Sequence, residues 1–147
     1  MVRPEELLGK PFFMRLSAEE VQDFAALLYE KNYAARMNIF EKDTSDPKMY
    51  IIKSGSVDIL LPKDATYEVV ATFYEGDFFG EMSIFDMSPR SATARAIENT
   101  ALLEISKEDF DRFVGEKPQI AAKILYGMME EMARRLRKKT LPNLPLF

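Results

Sequence analysis

The chain has 147 residues, enough for one domain with its own core, and its 47% hydrophobic and 30% charged content is that of an ordinary folded protein. It contains no cysteine and no histidine, which excludes disulfides, thiolate metal sites, His-ligated zinc and imidazole acid–base chemistry. The net charge of −4 is uneven: residues 1–117 carry 14 basic and 22 acidic side chains, and residues 118–147 carry six basic and two acidic, so the body lacks the basic face of a nucleic-acid binder.

In chain order, the N-terminal MVRPEELLGK shows no signal-peptide apolar region, and no run is long enough to span a bilayer, so a cytoplasmic location is expected. A helix is predicted over Ala18–Glu30, with Ser17 and Glu20 as a capping box and Val21, Phe24, Ala25 and Leu28 at helical spacing. From Asn32 to Ile105 the texture turns to short β-type runs. Met49–Lys53 and Val57–Leu61 around Ser54-Gly55 read as a hairpin, and a turn over Pro62–Ala65 precedes a strand at Glu68–Tyr74. Ser91–Ile97 and Ala101–Ile105 read as a further pair around Glu98-Asn99-Thr100. Many short strands in succession predict a β-sandwich or rolled barrel.

Helix signals resume at Ser106, where SKED has the capping pattern; Gly115 is expected to end that helix and Pro118 to begin the next. Ile120, Ile124, Met128, Met132 and Leu136 then recur every four residues in a long helix ending before Pro142. That stripe can bury on its own β-roll or pair with a second copy.

Between these elements lies Phe79–Ala94, FGEMSIFDMSPRSATA. Gly76 and Gly80 allow close approach of the backbone to a ligand. A helical turn opening at Glu81-Met82-Ser83-Ile84 presents free N–H groups to an anion. Arg90, nine residues after Glu81, offers a planar fork of donors suited to phosphate, with Ser91 beside it. Glu81 would repel a phosphate but can accept a hydrogen bond from a sugar hydroxyl. The same residues are equally compatible with a tight surface turn and an exposed Glu–Arg pair worth about 0–1 kcal/mol.

The stretch Phe79-Gly80-Glu81-Met82-Ser83-Ile84, a spacer, then Pro89-Arg90-Ser91-Ala92-Thr93 resembles the phosphate-binding cassette of the cyclic-nucleotide-binding domain family. Met49–Val57 resembles the family's "lYiIxsGxV" segment, and Ile105–Phe110 its passage from strand to helix; the likeness covers roughly residues 12–140. It implies a mainly β fold, a jelly-roll-like β-roll at about 32–105, with an N-terminal helix and two C-terminal helices at about 106–115 and 118–141, all in one domain.

The same resemblance implies a ligand site. Glu81 would accept the ribose 2′-hydroxyl and Arg90 would clamp the cyclic phosphate. Amides of Gly80, Glu81, Met82 and Ala92, with hydroxyls of Ser83 and Ser91, would complete the cradle. The expected ligand is cyclic AMP in preference to cyclic GMP, with no cofactor, metal or catalytic residue. Arg36 and Asp43 stand where the family often has glycine, so those turns must differ or carry mild strain.

The run Met132–Thr140 resembles the dimer helix of catabolite-activator-type regulators, which puts Lys139 and Thr140 near the base; Thr140 is the candidate contact. The basic run reads in preference as a solvated helix end, its cations favourably placed against the dipole. Too few residues follow the helix for a helix-turn-helix, so no DNA binding by this chain is expected. The output would be an unidentified downstream protein, with a homodimer through the last helix as a further partner. The competing readings are a ligand-free scaffold of the same fold and, weakest, an enzyme.

Overall fold

The structure is a computed structural model that describes residues 2–7 and 9–139. Two short 3₁₀ turns, Pro4–Glu6 and Pro11–Phe13, lead into α1, Ala18–Ala25. Both halves of the capping box form: the Glu20 amide donates to Ser17 Oγ at 3.2 Å, and the Ser17 amide to Glu20 Oε1 at 2.9 Å. The helix stops five residues short of the predicted Glu30. Leu27 and Leu28 amides donate to the carbonyls of Phe24 and Ala25 three residues back, closing the last turn tightly. Tyr29 and Glu30 then enter β1, where cross-strand pairing outweighs the continuing helical pattern.

Eight strands follow: β1 Tyr29–Tyr33, β2 Asn38–Phe40, β3 Lys48–Ser54, β4 Ser56–Lys63, β5 Thr66–Tyr74, β6 Phe78–Phe79, β7 Thr93–Ala96 and β8 Thr100–Ser106. They form two antiparallel four-stranded sheets, ordered β1-β8-β3-β6 and β2-β7-β4-β5. The mainly β roll is therefore as expected, but both hairpins read from the sequence are not. β3 pairs with β8 and β6, while β4 pairs with β5 and β7. The chain crosses from one sheet to the other at Gly55, whose φ of +99° no β-branched or bulky residue would accept. β7 and β8 likewise belong to opposite sheets. The hairpin that does form is β4–β5, turning at Asp64-Ala65, so Pro62 and Lys63 are strand residues.

Ser106 caps α3, Lys107–Glu116, by accepting from the Asp109 amide at 3.1 Å. Gly115 lies inside this helix and does not end it; the chain leaves it at Lys117, with φ −130°. Pro118 opens the 22-residue α4, Pro118–Lys139, as expected. The predicted helix end near residue 141 lies outside the described residues.

Two cores divide the interior. Phe79, Tyr50, Val57, Ala94 and Leu102 fill the space between the sheets. The larger core packs the N-terminal segment and α1 with α3 and α4 on the other side of β3 and β8, through Phe13, Phe24, Ile51, Leu103, Phe113, Ile124 and Met128. The four-residue stripe of α4 thus buries on its own domain through Ile120, Ile124 and Met128.

Candidate functional site

A turn at Tyr74–Asp77, held by the Tyr74 amide on Asp77 Oδ2 at 2.8 Å, delivers β6 to the free edge of β3. Gly80 then takes φ +76° and the chain enters α2, Met82–Asp86. Ser83 and Ile84 face inward and are buried; Met82 and Phe85 are exposed. Ser88 bonds back to Asp86 Oδ1 through its amide and its hydroxyl, a contact that draws the Asp86 carboxyl below its ordinary pKa.

Arg90 is only 3% exposed. Its Nη1 donates to the Gly80 carbonyl and its Nη2 to the Lys48 carbonyl, both at 2.8 Å. The guanidinium lies 4.1 Å from the Phe40 ring centroid and 5.6 Å from that of Tyr50. Nε is buried without a hydrogen-bond partner, and no carboxylate lies within ion-pair distance of this cation among the described residues. Burial pulls its pKa down, with Tyr50, Asp46 and Glu81 acting in the opposite sense. Behind it, burial raises the pKa of Tyr50, and Tyr33 donates to the buried Glu104 carboxylate at 2.8 Å.

The Arg90 backbone is fixed as well. The Asp43 amide donates to the Arg90 carbonyl, and the Arg90 amide to the Thr44 carbonyl, both at 2.8 Å. Asp43 has φ +68° and Arg36 φ +72°. The two turns therefore keep a left-handed conformation with non-glycine residues, a modest strain that aspartate tolerates better than most.

Gly80, Glu81, Met82, Ser83, Arg90, Ser91 and Ala92 all line one cavity of about 670 Å³. Every described residue of the predicted cradle is thus brought together; Thr140 lies outside the described residues. The cavity has further walls that sequence reasoning missed. The strands contribute Phe40, Ile59, Ala71 and Phe73, and α4 contributes Met129, Met132, Ala133, Arg135 and Leu136. Local sequence gives no signal for Arg135, which sits in a basic run that reads as a solvated helix end. A buried arginine fork, a carboxylate and a few hydroxyls around a largely apolar hollow can hold a small anion carrying a hydroxylated ring and a flat apolar group.

A β-roll whose short α2 turn and buried arginine border a cavity roofed by α4 is the architecture of a ligand-binding regulatory domain. The chain belongs to the cyclic nucleotide-binding domain family, whose model matches residues 30–117. It is 31% identical over 134 residues to the cyclic AMP receptor protein of Thermus thermophilus, covering 90% of this chain and 60% of that one. It is 28% identical over 131 residues to Glutaminase 1 of Bradyrhizobium diazoefficiens, covering 89% of this chain and 21% of that enzyme. The crystal structure of a cyclic nucleotide-binding domain from Methylobacillus flagellatus superposes with a TM-score of 0.85 at 22% identity, over 97% of this chain and 86% of that one, and shares its fold. The chain spans about 60% of the receptor and about a fifth of the glutaminase. Among the described residues no helix is long and apolar enough to cross a membrane.

Proposed function

We propose that this domain is a non-catalytic regulatory module that binds a cyclic mononucleotide in the cassette cavity, cyclic AMP in preference to cyclic GMP. One observation carries the reading: Arg90 is a buried cation with no carboxylate partner among the described residues and an unmet Nε–H, set in the wall of a cavity of nucleotide size. Two carbonyls and two aromatic rings offset only part of the cost of burying this cation, and a phosphate monoanion would offset the rest directly. Glu81 would take the ribose 2′-hydroxyl, with Gly80, Met82, Ser83, Ser91 and Ala92 around the phosphate. The remaining lining is mostly apolar at Ile59, Ala71, Phe73, Met132 and Ala133, which suits adenine better than the more polar guanine edge.

Among the described residues no side chain fills the cavity, and the substituted turns at Arg36 and Asp43 keep the left-handed form, so neither feature supports a ligand-free scaffold. Ligand would act by tightening the cassette against α3 and α4. The Phe85–Phe110 contact at 6.2 Å, and the Lys107 Nζ bond to the Ile84 carbonyl at 2.8 Å, offer the route from α2.

Calorimetry with cyclic AMP and cyclic GMP tests the assignment. Saturable binding is expected, tighter for cyclic AMP and weakened by well over tenfold in Arg90→Ala. Absence of both heat and thermal shift at millimolar ligand overturns it.

A further inference from the structure

Two charged side chains are buried among the described residues, Arg90 at 3% and Glu104 at 7% exposure. The reading above uses the cation and leaves the anion without a task. A carboxylate inside a sheet core is costly to keep unless its bonds and its charge are answered. Glu104 lies on β8 opposite Tyr50 of β3, a member of the core between the two sheets. Its Oε2 accepts from the Tyr33 hydroxyl at 2.8 Å, and its Oε1 lies 3.6 Å from Lys48 Nζ.

The two β3 residues beside Glu104 also hold Arg90. The Lys48 carbonyl accepts from Arg90 Nη2 at 2.8 Å, so this lysine meets the anion through its side chain and the cation through its backbone. The Tyr50 ring lies 5.6 Å from the Arg90 guanidinium and stacks on Phe79, 5.1 Å away, at the head of the cassette. Burial and then the Glu104 charge raise the Tyr50 pKa, while Arg90 lowers it, so this phenol stands in the field of both. The Lys48 side chain is 40% exposed, which weakens it as a counter-ion and leaves part of the Glu104 charge to balance Arg90 across Tyr50.

We infer that Glu104 is a positioning residue for Arg90. From β8 it steadies Lys48 and Tyr50, and it supplies the buried counter-charge that keeps the guanidinium in the cavity wall before ligand arrives. The consequence for ligand rests on the nucleotide reading above. A fork set in place beforehand costs a phosphate less ordering to engage. A neutral nucleoside, which carries no phosphate, gains nothing from it.

Glu104→Gln keeps an oxygen for the Tyr33 hydroxyl and removes the charge. Calorimetry with cyclic AMP and ligand-observed NMR with adenosine should show their affinity ratio falling about fivefold, the scale of one weakened charged hydrogen bond. Lys48→Met keeps the carbonyl and cuts the contact with Glu104; it should move the ratio the same way by about twofold, the scale of a partly exposed ion pair. Equal weakening of both ligands, or an unchanged ratio in both variants, overturns the inference. A second readout needs no ligand. The Arg90 Nε–H signal, assigned by its loss in Arg90→Ala, should exchange with water about tenfold faster in Glu104→Gln than in wild type, while the backbone amides of Ile51 and Leu103 keep their rates to within about twofold. Acceleration of those amides by the same factor marks a purely structural role and overturns the inference, as does an unchanged Arg90 signal. A wild-type protein that binds neither ligand refutes the nucleotide reading, and the exchange rates still decide what Glu104 does.

Discussion

Replacing Gly80 by alanine should strike stability and ligand binding together. The residue has φ +76°, and an added Cβ would lie 2.9 Å from Arg90 Nη1, 3.2 Å from Tyr50 Cδ2 and 3.4 Å from the Lys48 carbonyl oxygen. The left-handed conformation costs an L-residue roughly 1–2 kcal/mol, reduced by about 0.4–1 kcal/mol because alanine restricts the unfolded chain. A nitrogen at the tip of an arginine would normally yield at small cost. Here it is held between a bond to the Gly80 carbonyl and the Phe40 ring, so displacing it forfeits about one charged hydrogen bond, roughly 1.5–3 kcal/mol. The sum is about 2–4 kcal/mol, or roughly 6–16 °C in Tm for a chain of this size. Gly9→Ala is the control: φ is +88° with nothing within 4 Å of the added carbon, so it carries backbone strain alone. Thermal melts of both variants, with cyclic AMP titrations of Gly80→Ala, check the reasoning. Equal melting temperatures would show that Arg90 moves freely and that the cassette is soft. A destabilised Gly80→Ala that still binds wild-type levels of ligand would remove Arg90 from the phosphate site.

Gly55→Ala should be worse, exceeding about 3 kcal/mol, because its Cβ would meet Thr100 Cα at 2.8 Å and the Asn99 carbonyl at 2.9 Å, and backbone atoms cannot step aside; chemical denaturation measures it, and a loss under about 1 kcal/mol counts against the sheet crossing. Glu20 has a pKa below its ordinary 4.5, first because the Ser17 amide donates to it and next through Lys123. With the folded pKa depressed, its contribution is complete above 4.5 and is lost as pH falls through the folded value. Glu20→Gln should therefore flatten the acid limb of the stability curve between pH 5 and 3 (roughly), as read by urea melts across that range; an unchanged slope removes the capping carboxylate from the acid response.

Local chemistry was the legible part of this fold. The Ser17–Glu20 box and the Ser106 cap are contacts within three residues, and both form as read. The α4 stripe buries as its spacing indicates through Ile124 and Met128. Strand partners were not legible. A period of two says which side chains share a face but not which strand lies alongside, so two sheet crossings passed for hairpins. Gly55 carried the only hint, since a crossing and a hairpin both welcome a left-handed residue. In the site, Gly80 through Ala92 are close in sequence and could be assembled from it. The Phe40 platform and the Arg135 contact with Phe78 join residues 50 and 57 positions apart, and the apolar wall on β4 and β5 is placed by strand pairing, so no spacing rule finds them.

The strand order also governs when the molecule can exist at all. Among the described residues β1 pairs only with β8, joining Tyr29 to Glu104 and Tyr33 to Thr100, and Tyr33 reaches the Glu104 carboxylate across 71 positions. During synthesis the first strand must therefore wait, unpaired, until most of the chain has left the ribosome. Closure of so long a loop is slow, and an exposed strand edge invites the wrong neighbour meanwhile. Folding should then be limited by the arrival of β8, and any truncation upstream of Ser106 should yield an aggregating fragment rather than a smaller sensor.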